Sequence, residues 1–454
     1  MAWGDDMITR NRVAALAATF ACLRAATSWA GAAEGDAALA RGDYAMAIAE
    51  YRPAADAGDV RAQVGMGKLY LDGLGVVHDG HVAVQWLRRA ADKGDAPAQA
   101  WLGMAYGGGY DIARDDVESF RWFSKASAQG DALGRYGVGY DYFSGRAVVK
   151  DQKLGCEMFL QSANLGERLA MAKIGYCYDV GEGMPKDRAV AIGWYRRGAA
   201  LGVREAQYKL GYALEEGYDG PPDPTAAAVQ YQRAADRGLS LAQNSLGVLY
   251  QRGRGVPQDY RKAADLFRQA GLQGNDVAQE NLARLYLYGY GVTRDIGTAR
   301  DWYLKSGNLG NEVAESYLAA LYAGVYGNTY MDAVQALKWT RAAADKGNPY
   351  GLYRMGELYL AGFGVPPDRA QAVEWWHRAA DKGQFHAILR LAVAYHDGKG
   401  VTADAVAACD WMKRASAALP AQLAPATPGT APAPSRESTD YDATLKLACP
   451  ATAN

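Results

Sequence analysis

One glycine returns through the chain at a near-constant interval. It stands at positions 58, 94, 130, 166, 202, 238, 274, 310, 347 and 383, so that eight of the nine steps are 36 residues and one is 37. The extra residue falls in the loop between Gly324 and Asp332. Four residues after each glycine stands a small residue: Ala62, Ala98, Gly134, Ala170, Ala206, Ala242, Ala278, Ala314, Gly351 and Ala387. Eight further on comes tyrosine in nine of ten units, from Tyr70 and Tyr106 to Tyr359 and Tyr395, with Leu214 the exception. Ten in-phase units mark an array in which each unit is one supersecondary element. A chain of this length would otherwise be divided into about three domains. The repeat replaces that division with one elongated stack, because each unit touches only its neighbours.

Each unit reads as two short helices. The spacing predicts a helix over 62–72, with apolar or small residues at 62, 66, 69 and 70. Gly73-Leu74-Gly75 closes it, since glycine tolerates the left-handed backbone that ends a helix. A second helix over 81–93 carries Val84, Trp86, Leu87, Ala90 and Ala91 on one stripe. A single hairpin of this size cannot bury its own stripe, so neighbours must share it. Gly67, Gly103, Gly139, Gly175, Gly211, Gly247 and Gly356 fall mid-helix, where glycine costs up to ~1 kcal/mol relative to alanine. Such a recurring cost implies close helix approach. Trp86, Trp122, Trp194, Trp302, Trp339 and Trp375 share one repeat position, and Met158, Gln230 and Leu266 occupy it elsewhere. A large aromatic at a fixed position is expected to fill the space between paired helices.

Composition narrows the function classes. The 53 glycines do not fall every third residue, which excludes collagen. Half the chain is apolar and 11% is aromatic, which excludes wholesale disorder. The formal charge is −1, from 49 basic and 50 acidic residues, so there is no electrostatic footprint for nucleic acid or an anionic membrane.

The repeat is similar to the Sel1-like repeat family, relatives of the tetratricopeptide repeats. The pattern A-Q-x-x-L-G-x-L-Y-x-x-G-x-G-V, then D-x-x-x-A-x-x-W-x-x-R-A-A-D-x-G, is carried by Ala242–Val256 (AQNSLGVLYQRGRGV) and Trp375–Gly383 (WWHRAADKG). The resemblance runs from about Gly35 to Leu419. It implies an all-α, right-handed α-solenoid of about ten 36-residue helix-turn-helix repeats, and an adaptor or scaffold role. Family members include exported bacterial regulators and signalling adaptors. A cysteine-rich branch is associated with penicillin binding and β-lactamase activity, which makes a β-lactam binder or hydrolase the alternative. That branch carries cysteines in every repeat, and this chain does not.

The ends read differently. Arg10 and Arg12 precede the apolar run Val13–Leu23, and small residues follow at Ala30-Gly31-Ala32-Ala33. This is the order of a secretory signal peptide. The run of eleven residues is too short for a bilayer, which needs ~20. Asp5 and Asp6 fit such a signal poorly, which favours a start at Met7. A weak lipobox precedes Cys22. The expected division is a signal peptide over 1–33, a capping segment over 35–57, the solenoid over 58–419, a Pro/Ala-rich linker over 420–435 and a tail over 436–454. No other stretch is long and apolar enough to cross a membrane. The expected location is the periplasm of a Gram-negative bacterium, with a non-exported N-terminal extension as the bland alternative.

Beyond the leader there are four cysteines, 156, 177, 409 and 449. Cys156 lies ten residues before the turn at Gly166 and Cys177 eleven after it, so an antiparallel hairpin brings them level. A 156–177 bridge then leaves 409–449 as a bridge pinning the tail; buried free thiols are the alternative in both cases. His78-Asp79-Gly80-His81 is the only histidine cluster, too poor in ligands for a metal and read as a solvated loop. S-x-x-K, G-x-S-x-G, G-x-x-x-x-G-K-[ST] and H-E-x-x-H are absent. The Gly-x-Gly pairs follow no strand and read as helix-ending turns. The expectation is a non-enzyme with no cofactor and no metal.

Function must then lie where the repeat leaves positions free. In such superhelices the first helix of each unit lines the concave face. Its free positions are aromatic in units three to five: Tyr136, Tyr140, Phe143, Tyr176, Tyr208 and Tyr212. Tyr136, Tyr140 and Phe143 share one helix face. Tyr140, Tyr176 and Tyr212 are each 36 apart, which predicts a ladder. Further on the same positions carry Glu280, Arg284, Tyr353, Arg354, Glu357 and Arg390. The expected function is capture of a protein or peptide on this face by an exported, non-catalytic scaffold, regulatory in the bacterial envelope. Tyrosine rings also admit a glycan, which makes an exopolysaccharide assembly factor a further alternative.

Overall fold

The computed structural model describes residues 31–423, which fall into two compact units, one ending at Leu210 and the other starting at Gly211. Among the described residues every regular element is helical. In the first unit α1 covers 31–40 and is followed by α2 (Tyr44–Asp56), α3 (Val60–Asp72), α4 (Gly80–Ala91), α5 (Ala96–Tyr106), α6 (Asp116–Ala128), α7 (Ala132–Ser144), α8 (Gln152–Asn164), α9 (Arg168–Val180) and α10 (Arg188–Ala200). The next helix, α11, runs Arg204–Glu216. The second unit continues the same alternation of paired helices to Ala405–Leu423. The protein is an all-α solenoid of tandem hairpins.

Fixed polar devices set the hairpin geometry. The second helix of each repeat is capped by an aspartate whose side chain accepts from an amide in the first turn, as Asp79 does from Val82 and Asp151 from Leu154. The backbone amide of that same aspartate donates to the carbonyl nine or ten residues earlier, Asp79 to Tyr70 and Asp115 to Tyr106, and this bond recurs in all ten repeats. The glutamine of the A-Q pair is buried. Gln63 donates to the Ala55 carbonyl at 3.1 Å and Gln279 to the Gly271 carbonyl at 2.8 Å, each reaching eight residues back to the preceding hairpin. In most repeats the first helix ends on a left-handed glycine, such as Gly73 at φ 65°.

The tryptophan position is core where Trp86, Trp122, Trp194 and Trp339 stand, 4–9% exposed, and a second position is at least as deep. It is the next residue: Leu87, Phe123, Phe159, Tyr195, Tyr231, Phe267, Tyr303, Trp376 and Met412 are 0–5% exposed. These side chains explain the mid-helix glycines. A β-carbon at Gly103 would stand 2.6 Å from the Phe123 ring, and one at Gly247 2.7 Å from the Phe267 ring. Glycine therefore makes room for the ring of its own hairpin. The remaining tryptophans of the first position lie at the edge of the core. Trp302, Trp375 and Trp411 are only partly buried. Six tryptophans of this position carry a cation three residues on, over the ring: Arg89 on Trp86, Lys125 on Trp122, Arg197 on Trp194, Lys305 on Trp302, Arg378 on Trp375 and Arg414 on Trp411, at 4.0–4.5 Å. The indole thus caps the stripe and its outer face is shielded. At two of the three deep tyrosines the hydroxyl meets a carboxylate: Tyr231 donates to Glu215 at 3.0 Å and Tyr195 to Asp179 at 3.4 Å.

Two boundaries differ from expectation. Helix α1 starts at 31 and buries Ala32, so the end of the expected leader is helical. The last helix runs to Leu423, past Pro420, so the first residues of the expected 420–435 linker are helical too; an alanine-rich flank carries the helix on. The remaining leader, linker and tail residues lie outside the described residues.

Candidate functional site

Helix α7 departs from the repeat in ways that converge. Its packing partners are α5, α6 and α8. On its free face Tyr136, Tyr140 and Phe143 continue into a chain of rings. Tyr136 lies 6.4 Å from Tyr140 and 5.8 Å from the buried Phe159 of α8. Phe143 lies 5.9 Å from Phe159 and meets Tyr176 of α9 edge-on at 6.1 Å. Two glycines permit this. Where nine repeats have alanine or serine, the third has Gly155, and a β-carbon there would stand 2.8 Å from Phe143. At Gly137 it would stand 2.2 Å from Phe123. These residues enclose a pocket of about 600 Å3, walled by α5 to α9 and by Val203, Glu205 and Lys209.

A buried carboxyl group lines this largely apolar pocket. Asp141 occupies the position eleven after the turn glycine, which is Leu69, Ala105, Cys177, Ala213, Leu249, Leu285, Leu321, Leu358 and Ala394 in the other nine repeats. It is 4% exposed, and its Oδ2 has no hydrogen-bond partner. Burial pushes its pKa up to about 7, and nearby Asp116 adds to this; Arg146 and Arg114 pull it down. The cations near the pocket are held elsewhere. Arg146 and Lys173 stand over the Tyr140 ring at 4.8 and 5.2 Å, and Lys209 over Tyr176 at 5.5 Å. Arg114 grips Asp116 through two bonds of 2.8 Å. The interior thus offers ring faces and one unmatched acceptor, beneath a mixed-charge rim.

The pocket gathers four of the expected residues, Tyr136, Tyr140, Phe143 and Tyr176. Tyr208 is not among its walls. Tyr212 belongs to the second unit, where it meets Tyr218 edge-on at 5.8 Å. Arg284 and Arg354 also belong to the second unit and are engaged locally. Arg284 pairs with Glu280 at 3.2 Å and donates to Asn281 at 2.7 Å, and Arg354 Nε donates to the Tyr350 hydroxyl at 2.9 Å. Cys156 and Cys177 are joined in a disulfide, with Cα atoms 6.2 Å apart. It ties α8 to α9, the floor of the pocket to one wall. Cys409 is disulfide-bonded as well; Cys449 lies outside the described residues. His78 is engaged by Asp111 at 3.1 Å and by the Leu71 carbonyl. Asp141, Phe159 and Lys173 were not expected. The signal for Asp141 was present, as the one acid in a position otherwise Leu, Ala or Cys.

The Sel1 repeat matches ten successive stretches, residues 60–95, 96–131, 132–167, 168–203, 204–239, 240–275, 276–311, 313–348, 349–384 and 386–418. The chain belongs to the Sel1-like repeat family. Its Sel1 repeats resemble those of c5321, a protective antigen of uropathogenic Escherichia coli that displays an SLR fold, at 30% identity over 89% of this chain and 86% of that one, with a TM-score of 0.63. A Sel1 repeat protein from Oxalobacter formigenes is 28% identical over 71% of this chain and 91% of its own, with a TM-score of 0.48. No curated protein matches. Sel1 repeat proteins are typically protein-interaction scaffolds and generally non-catalytic.

Proposed function

We propose that this Sel1 repeat protein is an exported, non-catalytic scaffold. It captures a protein or peptide partner at the aromatic pocket of α5 to α9 and acts as a regulator in the envelope of a Gram-negative bacterium. One observation carries the reading: the repeat is broken at Asp141 and Gly155 around a single pocket. A purely structural array gains nothing from such breaks, since an acid replaces leucine, alanine or cysteine at one and glycine replaces alanine or serine at the other. Rigid rings with polar tips suit capture of an extended chain. Export is supported by the arginine-then-apolar leader and by bonded cysteines, which persist in oxidising compartments. The likeness to a protein called a protective antigen is in keeping with it.

The test is photo-crosslinking in the native host. Benzoylphenylalanine placed at position 140 or 176 should trap the same partner, and at position 89, on the far Trp86 shield, it should not. A Tyr136→Ala/Tyr140→Ala/Tyr176→Ala variant should lose the partner at unchanged helicity. Equal yields from all three positions would sink the pocket as the binding site.

A further inference from the structure

The unmatched group in the pocket specifies its guest. A carboxyl buried to 4% exposure, without a partner for Oδ2, in a position that is apolar in nine sister repeats, is costly unless a donor or cation arrives. We propose that the pocket receives an arginine side chain of the partner, its guanidinium paired with Asp141 and its stem laid against the aromatic rings that line the pocket. This rests on the reading of the pocket as the partner site.

Three features favour arginine over other donors. A guanidinium is planar, weakly hydrated and stacks on aromatic faces, whereas an ammonium is compact and strongly hydrated. The protein's own cations do not fill the place, since Arg146, Lys173 and Lys209 are spread over tyrosine rings. Those same cations line the mouth, so acidic residues flanking the guest arginine would meet Lys173 and Lys209. The pocket's chemistry therefore matches an acid–arginine–acid pattern in an extended segment.

Binding must also follow pH. The charged groups facing Asp141 are Arg146 beyond its own helix, Asp116 of α6 and Arg114 just before it. Free Asp141 exchanges its proton near pH 7, and the guest needs the carboxylate. Affinity for arginine should therefore be about tenfold weaker at pH 6 than at pH 8.

The probes are the capped peptides Ac-Glu-Ala-Arg-Ala-Glu-NH2 and the same sequence with norleucine for arginine, titrated into the full chain with 13C-carboxyl aspartate labelling. The arginine peptide is expected to bind at least tenfold tighter at pH 8, to lose that margin at pH 6, and to shift the Asp141 resonance. Asp141→Asn should retain the thermal transition and bind both peptides alike. Equal affinity of the wild type for the two peptides, no saturable binding, or a preference surviving in Asp141→Asn overturns the proposal. Crosslinks from positions 140 and 176 that persist under any of these outcomes leave the pocket as the partner site and reject only the guest.

Discussion

Asp141 sets function against stability at a single residue. Its folded pKa is about 7 and that of an unfolded aspartate is near 3.9, so the folded state binds more protons between these values. Stability contributed at this position therefore falls as pH rises through that window and stays low above it. Asp141→Leu restores the residue found in five sister repeats, and it should raise the melting temperature. The gain should be small near pH 4 and reach a few kcal/mol at pH 8, since each pKa unit is worth about 1.4 kcal/mol. Thermal denaturation at both pH values checks this; a gain independent of pH would mean that Asp141 finds a partner in solution. The tyrosines around it were legible in the sequence because they break a strict periodicity toward larger side chains. Asp141 was legible as well, as the one acid in a position otherwise Leu, Ala or Cys, but it stands in a core position and not among the free positions where function was expected.

At the scale of the helix pair, Gly247 opposes two effects that can be ranked. Alanine in a helix interior is favoured over glycine by up to ~1 kcal/mol. The added carbon would stand 2.7 Å from Phe267, a ring with 0% exposure and nowhere to go. Overpacking of this kind typically costs about 1–3 kcal/mol, so Gly247→Ala should destabilise, and a double variant with Phe267→Leu should recover most of the loss. Urea unfolding of the two variants decides it. The disulfide offers a second measure. Closing a loop across a separation of 21 residues is worth about 3 kcal/mol, so Cys156→Ser/Cys177→Ser should lose roughly that much and loosen α9 against α8. Amide exchange in α9 should rise accordingly. The hairpins themselves were plain from the 36-residue period. The tryptophan position was legible as core and is buried in four repeats; that the next residue lies at least as deep was not, because adjacent helix positions such as 86 and 87 both border the core. Only packing reveals that the smaller neighbour goes under and the indole goes over.

For the whole molecule, sequence order says much about stability and little about partners. Repeats that touch only their neighbours sum their stabilities along the chain, so the pattern specifies the architecture many times over. A binding site is written once, in departures from the pattern, and a single chain shows each departure without showing its purpose. Peptide mapping without reductant of protein taken from the periplasmic fraction should recover Cys156 with Cys177 and Cys409 with Cys449. Free thiols at all four would argue against both the compartment and the tail bridge. One consequence of the 156–177 link concerns proteolysis. The turn between the third and fourth repeats, around Gly166, is exposed, and a protease cutting at Arg168 finds an open site there. The nicked chain would still migrate as one species until reductant is added, because the cut lies inside the loop that the cysteines close. A chain with this stitch can be cut at an exposed turn and keep the walls of its aromatic pocket in one piece.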